Sequence, residues 1–189
     1  MKNIKSVLGI AIVVAGLCSV ASCTSKIQNP NDAVSQMSDS TSMEVEVNQS
    51  TGVINAYLGL KYALTESDGH SANVAANDLL NALQEHNDSI VGLIRFDAEH
   101  IASTMDIAHQ RDHFNSLSNN IYELVHNTMI DYILYRQFCP MALNGKGAYW
   151  ISAEEEIVNP YFGEKMLHCG RVIDTIPIRN KDNSNAPKY

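Results

Sequence analysis

The chain has 189 residues, and its 21 acidic side chains outnumber 13 basic ones to leave a formal net charge of −8. A balance this acidic excludes nucleic acid and anionic lipid headgroups as electrostatic partners. With 45% hydrophobic residues the chain is long enough to bury one real core, and its four cysteines and single tryptophan are few enough to follow individually.

Lys2 and Lys5 precede an apolar run from Val7 to Leu17, which Val20-Ala21-Ser22-Cys23 follows. A charged start, a short apolar stretch and small residues before a cleavage point describe a secretory leader over residues 1–22. The run is too short to span about 30 Å of hydrocarbon comfortably. Cysteine directly after small residues resembles the lipobox of bacterial lipoproteins, with Val20 where leucine is usual. That resemblance implies an acylated Cys23 as the mature N-terminus and a lipid anchor to the membrane. An ordinary secretory signal cleaved nearby is the alternative. Cleavage would remove Cys18 with the leader, leaving Cys139 and Cys169 as the two thiols of the folded part.

Residues 23–50 are rich in Ser, Asn, Gln and Asp without a sustained apolar period, so they read as a flexible tether. From Val53 the pattern turns helical. Val53, Tyr57, Leu60 and Leu64, flanked by Ile54 and Leu58, keep i, i+3, i+4 spacing until Ser67-Asp68-Gly69 interrupts it. A second helix carries Ala72, Ala75, Ala76, Leu79, Leu80 and Leu83 on one side, and stops near Asn87-Asp88-Ser89. A third carries Ile90, Ile94, Ala98 and Ile101, with Leu93 alongside. Asp106 is placed to cap a fourth, whose stripe runs through Ile107, Phe114, Leu117, Ile121, Leu124 and Val125; the alternative is one continuous rod through Thr104 and Asp106.

After Thr128 the composition becomes β-branched and aromatic. Tyr132 to Phe138, the turn Asn144-Gly145-Lys146-Gly147, and Ala148 to Ser152 predict a hairpin, and Arg171 to Ile178 is a further strand candidate. The expected fold is therefore mainly α: an antiparallel up-and-down bundle of about four helices over residues 51–178. A small C-terminal β-hairpin or irregular segment packs on it, and residues 179–189 form a polar tail.

Two cysteines, each near a methionine, stand out in the C-terminal part: Cys139-Pro140-Met141 and Met166-Leu167-His168-Cys169. Thiolate and thioether are the soft donors that suit Cu(I). An oxidising compartment would instead join Cys139 and Cys169 as a disulfide. A redox-active pair is the third reading, although the C-x-x-C spacing is absent. His109 and His113 lie four residues apart on the fourth helix, the spacing at which one helix face presents two imidazoles. His-x-x-x-His is also a common surface accident, and without a glutamate after His109 it is not a zinc-protease motif. Trp150 is an aromatic anchor for the hairpin or a cation–π cap over a bound ion. Arg111 is expected to pair with a carboxylate or carbonyl and dock the C-terminal segment. Asn159-Pro160-Tyr161-Phe162-Gly163 reads as a turn aiming Met166 and Cys169 back towards Cys139. No nucleophile elbow or phosphate loop is present, so no enzymatic activity is expected.

Three blocks together resemble a known family. They are His100-Ile101; Asp106-Ile107-Ala108-His109-Gln110-Arg111-Asp112-His113-Phe114 with Leu117-Ser118; and the C-terminal set Phe138-Cys139-Pro140-Met141, Gly147-Ala148-Tyr149-Trp150-Ile151-Ser152, Asn159 to Gly163 and Lys165 to Gly170. They are similar to a domain of unknown function found in Gram-negative envelope lipoproteins and appended to membrane-fusion adaptors of copper and heavy-metal efflux systems. The similarity spans about Val53 to Val172, and His168 departs from its pattern. It implies heavy-metal handling, most simply Cu(I), at the periplasmic side of the outer membrane, without catalysis. The implied ligands are Cys139, Met141, Met166 and Cys169, then His109 and His113, then His100. The implied partners are the membrane, through Cys23, and a heavy-metal efflux adaptor. A non-catalytic envelope interaction module with a structural Cys139–Cys169 disulfide is the competing expectation.

Overall fold

A computed structural model describes residues 34–84 and 88–179, with side chains from Ser50 onward. The expected leader, Cys23, residues 24–33, His86 and residues 180–189 lie outside the described residues. Four long helices come first: α1 (Val34–Thr65), α2 (Gly69–Ala82), α3 (Ser89–Ala102) and α4 (Ile107–Asn127). A three-stranded antiparallel sheet follows, built from β1 (Leu134–Cys139), β2 (Ala148–Ser152) and β3 (Arg171–Ile176). Among the described residues no helix is long and apolar enough to cross a membrane.

The helical periodicity reads through to burial. Val53, Ile54, Tyr57, Leu60 and Leu64 of α1 join Ala72, Ala76 and Leu79 of α2 in one core. Ile94, Ala98 and Ile101 of α3 and Phe114, Leu117, Ile121 and Val125 of α4 complete its helical part. Successive helices pack on one another, α1 on α2, α2 on α3 and α3 on α4. Two expectations are corrected. Residues 34–50, read as tether, begin α1 in the structure. Once packing has fixed the Val53–Leu64 segment, each added residue extends an existing helix without a new nucleation cost, and no proline occurs between Pro30 and Pro140 to stop it. Leu93 of α3 is exposed, while Val91 takes the buried position instead.

Caps and turns set where each helix begins. Asp68 accepts hydrogen bonds from the backbone N–H groups of His70 and Ser71 at the start of α2, and this holds its carboxyl below the usual range. Asp106 accepts from the N–H of Ala108 at the start of α4, as its position suggested. Residues 103–106 make a short turn between α3 and α4, tied by the fully buried Gln110. Its Nε2 donates to the carbonyls of Thr104 (2.8 Å) and Gly69 (2.9 Å). Gly69 must lack a side chain, because a Cβ there would strike the carbonyl of Met105.

In the sheet, β1 is central, flanked by β2 and β3. The expected hairpin forms with Cys139 opposite Ala148 and Gln137 opposite Trp150. Leu143, Asn144 and Gly145 between them all adopt positive φ, which turns the chain tightly. Arg179, expected in the tail, bridges to Ile130 through reciprocal N–H···O bonds of 3.1 and 2.9 Å.

Three buried polar ties fasten sheet and loop to the helices. The Tyr57 hydroxyl hydrogen-bonds with Ser118 Oγ (2.7 Å) and accepts from the N–H of Ile151 (3.0 Å), joining α1, α4 and β2. The guanidinium of Arg136 lies over the rings of Tyr122 and Tyr149 and donates to Asn119 Oδ1. Arg111 of α4 donates to the carbonyls of Pro160 (2.7 Å) and Leu64 (2.8 Å) and to Ser67 Oγ (2.8 Å). It therefore docks the Asn159–Gly163 turn through carbonyls, as its sequence setting suggested.

Tyr57→Phe is expected to cost about 1–3 kcal/mol, because Ser118 and the Ile151 N–H lose a buried partner; urea unfolding measures it. Burial also raises the pKa of Tyr57 and Tyr161, and burial followed by the charge of Asp131 pushes Tyr132 up to about 12. The unfolded chain releases these phenol protons near pH ~10. Above that pH the folded state holds more protons, so stability falls as pH rises. Each fully buried tyrosine contributes a loss of up to about 1.4 kcal/mol per pH unit. The urea midpoint should therefore drop steadily above about pH 10; a flat profile would contradict the burial.

Candidate functional site: an imidazole cluster and a separate thiol pair

The expected donors fall into two groups. His109 and His113, one turn apart on α4, are met by His100 from the end of α3. Ring centroids lie 4.4 Å apart for His100–His113, 4.9 Å for His109–His113 and 6.5 Å for His100–His109. The short Ser103–Asp106 turn makes this possible, because it folds α4 back so that its first two turns run beside the last turn of α3.

Two of the three rings are held from behind. His113 Nδ1 lies 2.9 Å from Oδ1 of Asp97, a carboxylate only 4% exposed on α3. His100 Nδ1 lies 2.8 Å from the carbonyl of Phe96. Both contacts need a proton on Nδ1, since carboxylate and carbonyl oxygens only accept. In the neutral ring this arrangement leaves the Nε2 lone pair uncommitted. Asp97 escaped the sequence analysis, although a signal existed. It stands three residues after Ile94 and one before Ala98, on the buried stripe, where a carboxylate needs a partner.

The donor set suits a transition metal, since neutral imidazole is a common ligand of zinc and copper. Bonds of about 2.0–2.1 Å would put ring centres on one tetrahedral ion roughly 5 Å apart. Two of the three centroid distances are close to that. The orientation differs, because His100 and His113 are stacked at an interplanar angle of 20°. Among the described residues, no group of three or more His, Cys, Asp or Glu stands ready-made to hold a metal ion. Ion binding would require the His100 ring to turn out of its stack.

The sulfur group lies elsewhere. Cys139 ends β1 and is fully buried; Cys169 precedes β3; their sulfurs are 3.2 Å apart. Mutual contact of the two thiols, then burial, raises the pKa of Cys169. The turn expected to aim Cys169 does so. Asn159 Nδ2 donates to the Cys169 carbonyl (2.7 Å), Asn159 Oδ1 accepts from the N–H of Tyr161 (2.8 Å), and the Tyr161 hydroxyl donates to the Tyr149 carbonyl (2.6 Å). Gly163, at positive φ, fits against Ser67 and the carbonyl of Thr65, where any Cβ would collide. Trp150 is fully buried with its ring edge-on to Tyr161, which makes it an aromatic anchor. Met141 is exposed and Met166 half-buried at the end of a 3-10 turn, Gly163–Met166. His168 is exposed and contacts the Ile157 carbonyl. His70 is exposed beside the start of α2, and half-buried His126 contacts the Tyr122 carbonyl.

The separation of the groups follows from helix geometry. Asn115, Asn119 and Tyr122 of α4 contact Tyr149, Arg136 and Asp174 of the sheet. At about 100° per residue, that stripe lies roughly 130° around α4 from His109 and His113. The thiols belong to the sheet side and the imidazoles to the α3 side.

Residues 53–132 match the model of a family described as protein of unknown function (DUF3347). The matched stretch contains the imidazole cluster and ends before the sheet and the thiol pair. No curated protein matches the chain, and no solved structure matches it.

Two sulfurs on one metal, with bonds near 2.3 Å, sit about 3.8 Å apart at tetrahedral angles. A disulfide needs about 2.05 Å. A 3.2 Å separation is therefore within about 1 Å of either outcome, and the fixed backbone favours neither. In air-oxidised protein, thiol titration is expected to find Cys139 and Cys169 blocked. Replacing both by serine should then lower stability by about 3–4 kcal/mol for a loop of roughly 31 residues. Two titratable thiols after oxidation would exclude the bridge.

Proposed function

We propose that this protein is a non-catalytic, lipid-anchored envelope protein that binds copper or another heavy-metal cation for sequestration or hand-off to an efflux adaptor. Anchoring is through Cys23, and the location is the periplasmic side of the outer membrane. The observation that carries the reading is the meeting of His100, His109 and His113 from two helices, within 6.5 Å of one another by ring centroid. Three of the seven histidines of the chain share this one face. The thiols Cys139 and Cys169, 3.2 Å apart, would in the reduced state offer Cu(I) a thiolate pair, with Met141 and Met166 as candidate thioether donors. Resemblance of the Cys-Pro-Met and Met-Leu-His-Cys segments to a heavy-metal-associated domain supplies the metal class. The same reading takes the four helices as an up-and-down bundle, which their sequential packing and short connections favour.

Equilibrium dialysis of the purified chain against copper, silver and zinc tests this. Binding at micromolar concentration or tighter is expected, with at least a tenfold loss when His109 and His113 are both changed to alanine. Absence of binding to all three ions, in both the reduced and the oxidised protein, overturns the proposal.

One observation favours a second reading, an interaction module without metal. Leu93 and Phe96 are both 55% exposed on α3 beside the cluster. Under this reading the same double substitution leaves function unchanged, and Cys139–Cys169 acts only as a staple.

A further inference from the structure

We infer that His100, His109 and His113 form a site for a divalent borderline ion of the Zn(II) or Cu(II) class, rather than for Cu(I), and that Asp97 is its positioning residue. This rests on the metal-binding reading above and deepens it. The donors at the α3–α4 face are imidazole nitrogens, whereas the thiolates that select Cu(I) lie on the other side of α4. Met105 precedes His109 by four residues, yet it sits outside the helix in the turn before Asp106 and is exposed. Among the described residues, the donor rings that meet at this face are all imidazoles.

Asp97 gives the site a supporting shell. A carboxylate that accepts from Nδ1 of a ligating histidine fixes its tautomer, orients the ring and raises the basicity of Nε2. Asp97 makes this contact with His113 at 2.9 Å while almost completely buried. The Phe96 carbonyl lies 2.8 Å from Nδ1 of His100, whose ring must leave its stack with His113 to share an ion with it. A buried carboxylate with no role beyond packing would be a net cost to the core, since charge is expensive away from water. Here its position at the back of one imidazole accounts for it. Three imidazoles leave a fourth coordination position open, which suits an ion to be passed on rather than locked in. Phe96, packed on His100 at 4.3 Å and facing His113 at 6.2 Å, is the aromatic neighbour of the cluster on one flank.

Titration of the full chain with Zn(II), and with Co(II) as a spectroscopic stand-in, tests both parts. Cu(I) is offered separately under anaerobic conditions against a competing chelator. Co(II) should give the strong visible bands of a four-coordinate site, and they should vanish in His100→Gln. Asp97→Asn should weaken Zn(II) binding roughly 10- to 100-fold. It should also remove the protonated-Nδ1 signature of His113 from imidazole NMR spectra of the metal-free protein, with far-ultraviolet circular dichroism unchanged. Zn(II) binding that Asp97→Asn leaves intact, with the fold retained, overturns the positioning role. Should that variant fail to fold, the His100→Gln and His109→Gln titrations still decide the site. Cu(I) bound more tightly than Zn(II) and insensitive to both histidine changes overturns the divalent assignment while metal binding stands. No ion bound by any form sinks the proposed function itself.

Discussion

Gln110 is the side chain on which the geometry of the imidazole cluster depends. A histidine at the end of one helix meets two at the start of the next only if the intervening turn is short and fixed. The Gln110 amide fixes it from inside, donating to Thr104 within the turn and to Gly69 at the head of α2. Three helices are thereby registered by one fully buried group. Gly69 contributes by omission, leaving room for the Met105 carbonyl. Loss of the amide would orphan buried carbonyls and free the turn, so its influence reaches rings it never touches.

Much of the helical framework was legible in the sequence. Apolar spacing located the core faces of all four helices, and the capping position of Asp106 was visible as an aspartate ahead of an apolar stripe, while Ser67-Asp68-Gly69 read only as a break. The strands were legible too, through the β-branched runs around Asn144-Gly145. What escaped were features decided by tertiary contact. The early start of α1 reflects extension of a helix already stabilised elsewhere, which a polar composition cannot reveal. Leu93 looked like a core residue because only its spacing was available, and the hand of packing gave the buried place to Val91. Asp97 was hidden for the opposite reason, its significance lying sixteen residues away at His113. The histidine spacing pointed to His109 and His113, while His100 entered only by family resemblance. The loop length between α3 and α4 is the physical fact that joins it to them.

Sulfur and imidazole groups occupy different flanks of α4. The thiols lie at the end of β1 and just before β3, and the Asn159 turn beside them is joined to α4 through the Arg111 hydrogen bond to the Pro160 carbonyl. Nitrogen donors do not change with the thiol redox state. A single small domain thus carries a thiol pair, with sulfurs 3.2 Å apart, and an imidazole cluster on different sides of one helix.

The order β2-β1-β3 carries a consequence for how the chain reaches this state. β1 is the middle strand, so it needs a partner on each side, and the second of these comes last among the described elements. Cys139 sits at the end of that middle strand, and its partner sulfur lies directly before the final one. A chain emerging from its N-terminus must therefore hold an open strand edge and a lone thiol at once, until the Asn159 turn and β3 arrive together. That interval is the vulnerable moment in its biogenesis, when a foreign strand or a foreign sulfur competes for the same place.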